Sequence, residues 1–147
     1  MERAARDLSG AVDLLADHPA TTGDALGVVG FCMGGMLSFV LAALRPDQIT
    51  ALVAFYGFPT GDAQPDYSAI EAAIQGHMAE HDDFFTPEAA LELEQRLVAM
   101  GKDVDFTVYP GAGHAFMAPH NALGTRDDAL YDEVWPKAIA FLRQHLS

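Results

Sequence analysis

Between Ala25 and Leu44 the chain carries no charged residue, and within that stretch its apolar pattern changes period at a cluster of glycines. Leu26 to Phe31, LGVVGF, is a short continuous apolar run of the kind buried on both faces of a parallel sheet, whereas MLSFVLAAL has helical spacing. The junction reads Gly30-Phe31-Cys32-Met33-Gly34-Gly35. A strand that turns sharply into a helix constrains the fold more than any other feature, because the strand must lie inside a sheet and the helix must return across one face of it. An uncharged run of this length is also a membrane-helix candidate, with Gly30 and Gly34 in GxxxG spacing. The glycines in its first half and the change of period make membrane association the least favoured reading.

The rest of the chain continues the alternation. Arg3 to Ala16 places Ala4, Leu8, Ala11, Val12, Leu15 and Ala16 on a helical stripe. After the loop DHPATTGDA and the strand–turn–helix, ALVAFYG at 51–57 is a second buried-strand pattern and Ile74 to Met78 a weaker third. Thr86 followed by Pro87 marks a helix start, and the helix runs to a stop at Gly101. DFTVY, 105–109, reads as a fourth strand broken by PGAGHAF. A last helix spans about Arg126 to His145, with Pro136 as a kink site. This order predicts an α/β domain over 1–147 with an open parallel sheet of about four strands and helices on both faces.

Eight basic against twenty-one acidic residues leave a net charge of −13, which repels phosphate backbones and anionic lipid surfaces. Neither nucleic acid nor a membrane is therefore an expected partner. A single cysteine excludes an intramolecular disulfide, and MERAARDLSG lacks the layout of a secretory signal, so a cytoplasmic location is expected. His77 and His81 have a spacing that suits metal ligands on a helix, but their segment reads as strand; no metal site and no cofactor are expected.

Open parallel sheets carry their working groups in loops at the carboxyl ends of strands. Cys32 follows the first strand, Asp82 and Asp83 the third, and His114 the fourth. A thiol, a carboxylate and an imidazole can thus converge from distant positions. Gly30 to Gly34 is a nucleophile-elbow pattern with cysteine in place of serine. Its flanking glycines, Gly30, Gly34 and Gly35, relieve collisions across a strained turn, and the turn aims the backbone N–H of Met33 at the site. The positive end of the following helix favours thiolate over thiol. Each residue also has a packing alternative: a buried structural thiol at Cys32, a turn-satisfying imidazole at His114, and a capping carboxylate at Asp82. His77, His81, Asp83, His120 and His145 read as surface or structural residues.

These motifs resemble those of the dienelactone hydrolase family of α/β-hydrolases. The family's Gly-x-Cys-x-Gly-Gly stands here as Gly30 to Gly35, its aspartate segment is similar to MAEHDDFFTPE and points to Asp82, and its aromatic-x-x-Ala-Gly-His-x-Phe is similar to Tyr109 to Phe116. The resemblance covers nearly all of this chain but only about the C-terminal three-fifths of such an enzyme. It implies a Cys32-His114-Asp82 triad that cleaves an activated ester or lactone through a thioester. It also implies that a second oxyanion-hole N–H and a glutamate that holds the resting cysteine belong to the part not represented here. The family's serine after the histidine and its carboxylate-binding arginine correspond to Ala115 and Ala118, while Arg126 has no spacing that ties it to the site. The competing reading is a non-catalytic fragment or assembly module that retains the fold. In either case the Leu26 to Phe31 strand would present an unpaired apolar edge, which predicts a homodimer with the two edges antiparallel, or another chain that covers the edge.

Overall fold

The computed structural model describes residues 2–146. The chain runs α1 (Glu2–Ala16), β1 (Leu26–Phe31), α2 (Met33–Leu44), β2 (Ile49–Phe55), β3 (Ala73–His81), α3 (Pro87–Ala99), β4 (Val104–Gly113) and α4 (Asp128–His145), with two short 3₁₀ turns between β2 and β3. All four strands are parallel and lie in the order of the sequence, so β1 and β4 are the edges. The expected architecture is present, with each apolar run forming a strand and each periodic stretch a helix.

Alternation along the strands divides the core between the two faces of the sheet. Leu52 and Ala54 of β2 and Ile74 and Met78 of β3 meet Phe39, Leu41 and Ala42 of α2 and Ala90, Leu93 and Leu97 of α3. On the opposite face Val53, Phe55, Ala79 and Tyr109 meet Val134 and Ala138 of α4. Thus α2 and α3 cover one face, with α1 packed on α2, and α4 covers the other. Arg45, just past α2, ties α1 in place through Ser9 and Asp13 at 2.7–2.9 Å.

Several boundaries differ from the pattern reading. The α1 stripe is narrower than expected: Ala5 and Val12 are buried, while Leu15 and the neighbouring Leu14 are exposed. β2 starts two residues earlier than expected and ends at Phe55, because Tyr56 turns to a positive φ of 38°. β3 extends to His81 and β4 to Gly113; the two remain paired beyond their apolar cores, and an edge strand tolerates Pro110. α4 runs unbroken through Pro136, which lies on its exposed side. Its start is fixed by the Asp127 side chain, which accepts from the Leu130 N–H at 2.9 Å. Among the described residues no helix is long and apolar enough to cross a membrane.

Candidate active site

Parallel strands bring their carboxyl ends to one rim, and Cys32 stands there between β1 and α2 with φ 54° and ψ −120°. That backbone conformation is costly for a residue with a side chain and persists only where the surroundings enforce it. Here they do. A Cβ on Gly30 would lie 2.0 Å from the Gly34 carbonyl oxygen, and one on Gly35 would lie 2.5 Å from the Gly57 carbonyl oxygen. Gly34 departs from expectation, since a Cβ there would meet nothing within 4 Å; it carries the carbonyl that excludes a side chain at Gly30. Gly57, after β2, is an elbow residue that pattern reading overlooks, because a Cβ there would lie 1.9 Å from the Cys32 carbonyl oxygen. Met33 opens α2, so its N–H is among the first-turn amides without an intrahelical acceptor.

Asp82 follows β3 directly and is buried, whereas Asp83 is exposed. One Asp82 oxygen accepts from the backbone N–H groups of Phe84 and Phe85 at 2.9 Å, which fixes the carboxylate. Its other oxygen lies 2.7 Å from His114 Nδ1. The helix-capping alternative for Asp82 does not hold, because Thr86 caps α3 with its own hydroxyl. His114 stands in the loop after β4, and its Nε2 is 3.2 Å from the Cys32 Sγ. With Nδ1–H donating to Asp82, Nε2 is left to accept from the thiol. The ring is held edgewise by Tyr56 and Phe84 and stacked by Phe85, with centroids 5.1–5.9 Å away. Thr125 donates its hydroxyl to the His114 carbonyl and closes the loop. A sulfur, an imidazole and a carboxylate in hydrogen-bonded line can generate a nucleophile and shuttle its proton.

Comparison with known proteins gives a match to the dienelactone hydrolase family across residues 1–146. The chain belongs to that family. It is 31% identical to Protein usf of Aquifex pyrophilus over all of this chain and 63% of that protein, and 30% identical to the carboxymethylenebutenolidase of Rhodococcus opacus over 88% of this chain and 54% of that enzyme. Among solved structures, a candidate dienelactone hydrolase from Klebsiella pneumoniae superposes with a TM-score of 0.84 at 26% identity, covering 95% of this chain and 60% of that one. The chain therefore spans less than two-thirds of the length of these family members.

On the α4 side lies a cleft of about 410 Å³ walled by Phe31, which precedes Cys32, by Tyr56, which packs on His114, and by Tyr131 and Trp135. Ala118, where the family resemblance places an arginine, forms part of its wall, and so do the exposed His120 and the half-buried Arg126. Arg126 and Tyr56 are thus cleft residues that sequence reasoning did not tie to the site. The loop from His114 doubles back through the bond from Asp127 N–H to the Phe116 carbonyl at 3.1 Å, and no local pattern announces that return. Burial raises the Tyr56 pKa above its ordinary value, the nearby Cys32 adds to this, and Arg126 works in the opposite direction. His77 is a structural group, as expected, buried on β3 with Nδ1 2.9 Å from the Tyr109 hydroxyl and Nε2 3.0 Å from Gln75 Oε1. Burial, aided by Lys137, pushes its pKa down to about 4. His81 is exposed and faces Glu80 at 3.6 Å, and the His145 ring lies 4.6 Å from that of Phe141, tilted by 47°, at the end of α4.

Proposed function

We propose that this chain hydrolyses small activated esters or lactones, with Cys32 as nucleophile, His114 as general base and acid, and Asp82 as the group that orients the imidazole. The observation that carries this reading is the Cys32–His114–Asp82 line, at 3.2 and 2.7 Å. His114 takes the thiol proton as sulfur attacks the carbonyl carbon, and the oxyanion meets the Met33 N–H. The C–S bond then stays while the bond to the leaving oxygen breaks, and that oxygen takes its proton from His114. Water, deprotonated by His114, attacks the thioester; the acid is released and the thiol is restored. A thiolate leaves more readily than most alkoxides, so the tetrahedral adduct collapses forward only for a good leaving group, such as an enol or aryl oxygen. No cofactor is required. The Met33 N–H is the oxyanion donor this reading assigns, and losing one donor of such a site typically costs about 10²–10³-fold in turnover.

The same reading places the protein in the cytoplasm and pairs two copies through the free edge of β1. Support for the pairing comes from the sheet order, which leaves β1 unpartnered on one side among the described residues. The mechanism is tested by intact mass after exposure to p-nitrophenyl acetate. A single acetyl adduct, absent in Cys32→Ala and decaying with time, is the expected result. An adduct that forms on Cys32→Ala equally would overturn the assignment, and one that forms on Cys32 but never decays would favour the assembly-module reading.

A further inference from the structure

We propose that the cleft beside Cys32 is a subsite for an uncharged aromatic ring in the acyl part of the substrate. The proposal rests on the acyl-transfer reading above and names the substrate class for it. Four aromatic side chains form its walls, and Phe31 stacks on Phe55 at 4.7 Å and lies 6.4 Å from Trp135. Phe31 is nevertheless 42% exposed, an apolar floor left open at the end of β1. A volume of about 410 Å³ is within the range of small-ligand pockets, and flat aromatic walls favour a flat aromatic guest. Two of these walls adjoin the nucleophile: Phe31 directly precedes Cys32, and the Tyr56 ring lies 5.2 Å from that of His114. A group bonded to the Cys32 sulfur through the acyl carbon is therefore delivered to the cleft.

The one strong cation in the wall is committed elsewhere. Arg126 donates from Nε to Asp128 at 2.7 Å and from Nη1 to the Met117 carbonyl, and its guanidinium lies 4.4 Å over the Tyr131 ring. A carboxylate is gripped by a pair of parallel N–H donors, either Nε with Nη2 or Nη1 with Nη2. The Nε–Nη2 fork has its single Nε–H engaged by Asp128, and Nη1 spends one of its two N–H donors on Met117. In the same wall, Ala118 offers only a methyl group. The cleft thus presents mainly rings and methyls to its guest, with its arginine partly committed to Asp128, Met117 and the Tyr131 ring.

The test compares p-nitrophenyl acetate, p-nitrophenyl phenylacetate and the p-nitrophenyl monoester of 1,4-phenylenediacetic acid, which share one leaving group. Because Trp135 is the only tryptophan, its fluorescence also reads occupancy by phenylacetamide without any chemistry. The expected results are a phenylacetate-to-acetate ratio in kcat/KM of about 10- to 100-fold, no further gain from the carboxylate, and a saturable fluorescence change. Trp135→Ala should bring the ratio close to unity, and Ala118→Phe, which fills the cleft from its loop side, should do the same should the first variant fail to fold. Cys32-dependent turnover with a ratio near unity and no saturable change would overturn the subsite while leaving the hydrolase reading intact. Saturable binding without turnover of any ester would do the reverse. A carboxylated ring preferred tenfold or more over the neutral one would overturn the uncharged assignment and make Arg126 an anion clamp.

Discussion

Gly57 presses against the carbonyl of Cys32 so closely that the elbow and the end of β2 share one space. Gly57→Ala forces a Cβ into a 1.9 Å approach to backbone, which no rotamer relieves. It should destabilise the fold by about 1–3 kcal/mol, read as a lowered Tm, and slow alkylation of Cys32 by iodoacetamide. Gly34→Ala is the contrasting case: the added methyl meets nothing, and helix propensity should raise stability by up to about 1 kcal/mol. Asp82 acts through another group. Asp82→Asn keeps the bonds from Phe84 and Phe85 available but offers His114 the wrong partner for its tautomer. Ester turnover should fall on the order of 10³–10⁴-fold with the melting temperature little changed.

At the scale of the element, β3 carries a buried histidine whose neutral state the fold requires. The folded-state pKa of His77, near 4, lies below the ordinary value of 6.5, so between those limits the unfolded chain binds the proton first. Stability should therefore fall as pH drops from 6.5 towards 4, by about 3 kcal/mol in all from this group. His77→Phe should flatten that part of a denaturant-midpoint profile. The strands and the reactive line were legible because Cys32, Asp82 and His114 each end an apolar run in a parallel sheet, where topology alone brings them to one rim. Strand ends were less so. β3 and β4 continue through Glu80, His81 and Pro110 to Gly113, where ladder pairing rather than side-chain pattern sets the limit. The cleft was not legible at all, since Phe31, Ala118, Arg126 and Trp135 come from two elements and one returning loop with no shared period.

At the scale of the molecule, one edge of the sheet is the apolar strand β1, which has no neighbouring strand on its outer side among the described residues. Such an edge is a template for another strand, and the net charge of −13 opposes indiscriminate association more than it opposes one specific pairing. Light scattering at micromolar concentration should report twice the monomer mass of 15.8 kDa, more firmly as salt screens the charge. A monomer across that range would remove the pairing. Among the described residues the two faces of the sheet are also unequally clothed, with three helices on one side and α4 on the other. The Cys32–His114–Asp82 line is anchored in strand ends and turns, whereas the cleft joins Phe31 and Tyr56 to Tyr131 and Trp135 of that single helix and to residues of the loop before it. Substitutions along the cleft side of α4 should therefore shift any ester preference while leaving the rate of Cys32 alkylation by iodoacetamide unchanged, because the helix supplies none of the three residues in that line.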